Sequence, residues 1–177
     1  MGSPDRRWDV GQGTFWGDLV GPNPTDRGKR GTKKHILVDA DGGPLAAVIA
    51  AANTNDHRLM AATLAAIVPT RPERATPAEL YADRGYDHAE CDAAAAAHGY
   101  VARIARRSGG WIAAGADAPP PPQQYRGTRW VVERTIAWLS KCRALLVRYE
   151  KRAENHLGFV KLACILLWYR RSRRQTG

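Results

Sequence analysis

The sequence predicts an α/β fold: a mixed sheet with flanking helices. Three observations carry this. Short apolar runs alternate along the chain with longer helical patterns, the order found in layered α/β domains. The 177 residues suffice for one domain with a real core. At 44% apolar and 25% charged, the composition is that of an ordinary globular chain.

The elements follow in order. Residues 1–30 are rich in Gly, Asp and Arg and hold no helical or strand period, so they are expected to be irregular, and residues 31–177 to form the folded domain. Residues 34–39 and 45–51 are two apolar runs about Asp41-Gly-Gly43, which reads as a β-hairpin. Asn55 and Asp56 are good caps for a helix over about 58–67. Pro69, Pro72 and Pro77 then mark a connection. Leu80-Tyr-Ala82 is a short strand ending on Asp83. Asp87 is the expected cap of an alanine-rich helix reaching His98, and residues 100–104 form another strand. Residues 106–127 are Gly-rich and then Pro-rich, a long loop of the kind that often carries function. Two helices close the chain, about 128–149 and 153–171.

The longest unbroken apolar run, residues 162–169, has eight residues. A membrane span needs about 18 or more, so a buried helix segment is expected there and no membrane association. No signal-peptide pattern opens the chain. Cys91, Cys142 and Cys164 are odd in number and widely spaced, which suits reduced thiols in a cytoplasmic protein and neither a disulfide framework nor a zinc finger.

The net charge is +10, and all of the excess lies in residues 126–177, where 13 Lys+Arg face three acids. Such one-sided charge is the footprint of a polyanion partner, usually nucleic acid. Taken alone, the terminal Arg170-Arg-Ser-Arg-Arg174 fits a solvated basic tail as well.

Two carboxylates stand out. Asp83 follows a strand, and ligands of α/β sheets gather at the carboxyl ends of strands; alone, it reads sooner as a turn residue before Gly85. Glu133 lies on the helix read over 128–149, outside an apolar arc that includes Val131, Val132, Ile136, Trp138, Leu139, Cys142, Leu145 and Leu146. Arg126 and Arg129 precede it on its own strip, with Ala137, Ser140 and Ala144 after it. The arginines suit DNA phosphates; the plain alternative is an Arg129–Glu133 surface pair. Oxygen ligands from a strand end and a helix suit Mg²⁺. Two metals about 4 Å apart perform phosphodiester cleavage, usually on three or four carboxylates.

Ordered stretches of the chain resemble the acid-triad (DDE) transposases of bacterial insertion sequences, insertion sequence family five most of all. They run from Gly21-Pro-Asn-Pro-Thr-Asp-Arg-Gly28 through Lys34-His-Ile-Leu-Val-Asp39 and Ala52-Asn-Thr-Asn-Asp56. Tyr81-Ala-Asp-Arg-Gly-Tyr-Asp87, Ile104-Ala-Arg-Arg107, Arg129-Trp-Val-Val-Glu-Arg134 and Arg148-Tyr-Glu-Lys-Arg152 follow. The resemblance implies an RNase H-like fold, DNA transposition with Mg²⁺ or Mn²⁺, transposon-end and target DNA as partners, and homo-oligomers. It makes Asp83 the second acid and Glu133 the third, both metal ligands. Arg129 matches the Arg of the family's Tyr-Arg-Glu-Lys signature. The signature's Tyr falls at Arg126 and its Lys at Ser140, with Lys141 one residue off; Arg126, Arg129 and Lys141 are the candidate DNA contacts. The family's first Asp falls near residues 6–13, where Asp5 and Asp9 are available but follow no apolar run. The expectation is a domain with a degenerate or missing first strand, from a truncated or frameshifted copy. The alternative is an inactive remnant that only binds DNA or associates with a full-length transposase.

Overall fold

The computed structural model describes residues 17–24, 27–69, 76–104 and 124–175, with side chains from Trp130 to Arg174 in the last span. The candidates Asp5 and Asp9, and almost all of the long loop, lie outside the described residues.

The hairpin forms as read. β2 (Arg30–Val38) and β3 (Pro44–Ala51) pair antiparallel from Thr32↔Ala51 to Leu37↔Ala46, then slip at Leu37/Val38. A two-residue strand, β1 (Gly21–Pro22), adds to β2 within the stretch expected to be irregular. The turn is closed by Asp39, whose Oδ1 accepts from the Asp41 and Gly43 backbone N–H groups at 2.9 and 2.7 Å. β4 (Ala78–Ala82) and β5 (Tyr100–Ile104) pair parallel, from Ala78↔Tyr100 to Ala82↔Ile104. A parallel pair needs a crossover. α2 (Ala89–Ala97) supplies it, burying Cys91 and Ala95 against β5.

Among the described residues both kinds of pairing are present, antiparallel in β1–β2–β3 and parallel in β4–β5. The sheets meet through side chains. A 3₁₀ turn (Asp56–Leu59) leads into α1 (Met60–Ala65), which packs on β2, β3 and α2. Met60, Leu64, Leu80, Cys91, Ala95, Ala102 and Ile104 form one core there. A fully buried side chain of that size contributes about 1.5–3 kcal/mol.

The C-terminal helices depart most from the sequence reading. α3 (Gln124–Ser140) stops nine residues before the expected end. A short α4 (Arg143–Leu146) follows, then extended chain, then α5 (Ala153–Gln175). The break at Lys141–Cys142 turns Leu145 inward, to 3% exposure, where it joins Leu139, Val160, Ala163 and Ala47 in a second core. One continuous apolar arc was thus the wrong reading. Val131, Thr135 and Leu139 are the buried side of α3, whereas Ile136, Trp138 and Leu146 face out. Ala144 is likewise no wheel neighbour of Glu133.

α5 docks through His156, Val160, Ala163, Leu167 and Trp168, spaced at helical intervals. Its far end grips the hairpin turn: Trp168 Nε1 donates to the Pro44 carbonyl at 2.8 Å, and Arg171 pairs with Asp39 at 3.0 Å and Asp41 at 2.8 Å. Gly43 makes room for this grip. A Cβ there would stand 2.6 Å from Trp168 Cζ2 and 2.7 Å from Arg171 Nη1. Gly43→Ala is expected to cost about 1–3 kcal/mol through overpacking. Thermal unfolding reads this, and a Tm equal to wild type would show that the grip is not tight.

Candidate functional site

Asp83 stands where the sequence put it, directly after β4, with exposed surroundings. It caps the 3₁₀ turn Arg84–Tyr86: Oδ1 accepts from the Gly85 N–H at 2.8 Å. Oδ2 accepts no hydrogen bond among the described residues.

The turn is held to β2 and α1 by a chain of polar groups. Tyr86 Oη bonds His35 Nε2, His35 Nδ1 lies 2.7 Å from Thr63 Oγ1, and Thr63 donates to the Leu59 carbonyl at 2.7 Å. Burial, and then the carboxylates of Asp56 and Asp83, push the Tyr86 hydroxyl well above its usual range. Burial lowers His35, aided by Lys33 and opposed by Asp56 and Asp83. Neutral partners fix the directions: Tyr86 donates to Nε2, and Nδ1–H donates to Thr63.

The chain has a pH consequence. Burial also lowers His156, although its bond to Glu150 opposes that shift. Unfolding lets both imidazoles take up protons that the folded state refuses, so the unfolded chain gains protons first as pH falls. Stability is therefore expected to hold above pH 7 and to decline below about 6.5, the ordinary imidazole range. The urea midpoint should drop between pH 7.5 and 5.5, and less steeply for His35→Gln. Equal slopes would remove His35 from this account.

Asp56 is the neighbour that sequence reasoning missed. Its side chain caps no helix; it accepts from Lys33 Nζ at 2.7 Å. A Cβ on Gly85 would lie 3.0 Å from Asp83 Oδ1 and 3.8 Å from Asp56 Oδ2, so both carboxylates converge on the same glycine. The Lys33 contact and the packing of the Asp56–Leu59 turn on the Arg84–Tyr86 turn place Asp56 here, and local pattern encodes neither. Two carboxylates with an exposed approach are the hard oxygen donors that Mg²⁺ or Mn²⁺ takes.

Glu133 is exposed on α3. Its helix docks at the other end of β2, where Arg134 Nη2 donates to the Asp41 carbonyl at 2.7 Å and Thr135 Oγ1 to the Gly42 carbonyl at 2.8 Å. The contacts therefore bring Asp83 to His35 and the Glu133 helix to the hairpin turn. Arg126 and Arg129 lie on α3, with side chains outside the described residues. Lys141 follows the end of α3 and sets Nζ 4.1 Å from the Trp138 ring centroid. Arg134 lies 4.2 Å from that of Trp130. Both tryptophans are exposed beneath cations, not packed in a core.

His57 and His88 are partly buried. Their rings stack at 3.9 Å. His88, not Asp87, is the residue that opens α2. Among the described residues no helix is long and apolar enough to cross a membrane.

The family described as "Transposase DDE domain" matches residues 5–168. A Burkholderia cepacia protein, assigned as the transposase of insertion sequence element IS402, is 41% identical over 164 residues, covering 90% of this chain and 73% of that protein. No solved structure matches. With most of its length inside the family match and a strand-end Asp in place, the chain belongs to the DDE transposases of insertion sequences and to the proteins of DNA transposition.

Proposed function

We propose that this chain carries out metal-dependent cleavage and strand transfer at the ends of an insertion sequence, on DNA in the cytoplasm, with Asp83 as one acid of its site. The exposed Asp83 carboxylate at the end of a parallel strand, held in place by the Gly85 N–H, carries the proposal. Glu133 is proposed as the third acid. The first falls to Asp5 or Asp9, and Asp56 adds negative potential beside Asp83. Bound Mg²⁺ or Mn²⁺ supplies Lewis-acid activation of water and of the departing 3′ oxygen.

The fold proposed is RNase H-like. Its support is the pairing of β1, β2 and β3 in one sheet and β4 with β5 in parallel, with helices packed on both. Arg126, Arg129 and Lys141 are assigned to DNA phosphates; they belong to the segment that carries the whole excess charge. Self-association is supported by α5, where Leu162, Ile165 and Tyr169 are 60%, 61% and 58% exposed. A helix with this much uncovered apolar surface is suited to a partner.

The test is incubation of the purified chain with labelled insertion-sequence-end DNA and Mg²⁺ or Mn²⁺. New 3′-OH ends that need the metal support the proposal. Salt-sensitive DNA binding with no cleavage would overturn the nuclease reading and leave a DNA-binding protein.

A further inference from the structure

We propose that His57, His88 and Glu90 form a second metal site, for one Zn²⁺ or similar late first-row divalent ion, apart from the Asp83 carboxylates. One donor atom from each residue lies within 4.8 Å of the others. His57 Nε2 is 3.2 Å from Glu90 Oε1, and the two imidazoles stack with 29° between their planes. Zn²⁺ sits about 2.1 Å from each imidazole nitrogen and so, at tetrahedral angles, draws its donors to about 3.4 Å from one another. Modest side-chain rotation closes the set. His57 is 15% exposed and Glu90 61%, so one ligand is fixed and another opens on the solvent from which an ion arrives.

Buried Cys91 holds the frame on both sides. Its thiol donates to the His57 carbonyl at 3.5 Å; its backbone N–H donates to the His88 carbonyl at 2.9 Å. The backbones of the two histidines are thus fixed by one fully buried residue, as supporting groups fix metal ligands.

The donor set decides the metal class. Two imidazoles and one carboxylate leave a fourth, tetrahedral position for water, the pattern of Zn²⁺. Mg²⁺ prefers oxygen alone, and imidazole affinity rises from Mn²⁺ towards the later metals. The site also has a useful place. His57 follows Asp56, and His88 follows the turn that Asp83 caps. An ion bound there would tie the 3₁₀ turn Asp56–Leu59 to the start of α2 and brace the Asp83 turn from both sides.

Calorimetric titration of the metal-free full chain with ZnCl₂ tests this, together with the visible absorption of Co²⁺ in a four-coordinate site. The expected result is one ion per chain, with binding unchanged by a large excess of Mg²⁺. His88→Ala and Glu90→Gln, both at accessible positions, should each weaken binding by about 10-fold or more, the scale on which metal sites respond to lost support. Asp83→Asn should bind Zn²⁺ as wild type does, whatever its effect on DNA cleavage, so the two proposals fail separately. Absence of stoichiometric binding would overturn the site. So would full affinity in the His88→Ala and Glu90→Gln double variant, or loss of Zn²⁺ binding in Asp83→Asn.

Discussion

Asp83→Ala is expected to abolish metal-dependent nicking of insertion-sequence-end DNA, by about 10³-fold or more, while DNA binding persists. A metal acting on a phosphoryl oxygen supplies several kcal/mol of transition-state stabilisation. Each 1.36 kcal/mol is a tenfold change in rate, so removal of a ligand falls on that scale. Two effects are combined in the Ala variant, because Asp83 also accepts from Gly85 and so shapes its turn. Asp83→Asn separates them. It keeps an oxygen for the Gly85 N–H but loses the negative charge. Equal loss in both variants assigns the effect to the charge. Activity retained by Asp83→Asn would make Asp83 a turn residue and move the metal elsewhere. Binding should survive in both, since the basic excess lies in residues 126–177.

Ile104→Ala is expected to be the most damaging of the core truncations, at about 2–5 kcal/mol. Ile104 is 1% exposed and lies in the first core with Leu80 and Cys91. For a chain of this size each kcal/mol moves Tm by about 2–4 °C, so a fall of roughly 4–20 °C is expected in thermal unfolding. Val101, on the outward face of the same strand and 38% exposed, is the control. Val101→Ala should cost well under half as much. Comparable falls would show that β5 is not anchored through Ile104. The position matters for chemistry too: Ile104 pairs with Ala82, the residue before Asp83. Cleavage should therefore weaken in this variant even at temperatures where it remains folded.

Local chemistry made some of this legible. The alternation of β4 and β5, the Asp-Gly-Gly turn and the strand-end position of Asp83 can each be read within a few residues. What failed was set at long range. Nothing between Ser140 and Arg143 is Gly or Pro, so a helix over 128–149 was the local reading. The break serves the burial of Leu145 beside Val160, and Lys34 Nζ binds the Leu145 carbonyl 111 residues away. Asp56 reads as a cap because caps are local; Lys33 takes its carboxylate from across the hairpin. The two imidazoles of His57 and His88 stand 31 residues apart in sequence, and only the packing of the 3₁₀ turn on α2 stacks them.

The hairpin β2–β3 has a consequence for motion. Its side chains alternate between faces. His35 and Leu37 face the core that supports Asp83, whereas Ile36, Ala47 and Ile49 face the core beneath α5. The hairpin is thus a wall shared by two rooms, with the acid-bearing strand end in one and the arginine-rich helix in the other. Lifting α5 from the wall uncovers Ile36, Ala47 and Ile49 and leaves Leu80, Cys91 and Ile104 sealed. The positively charged helix and the strand that presents Asp83 thus rest on opposite faces of one hairpin, so a substitution that loosens the α5 core is expected to leave the packing behind Asp83 in place.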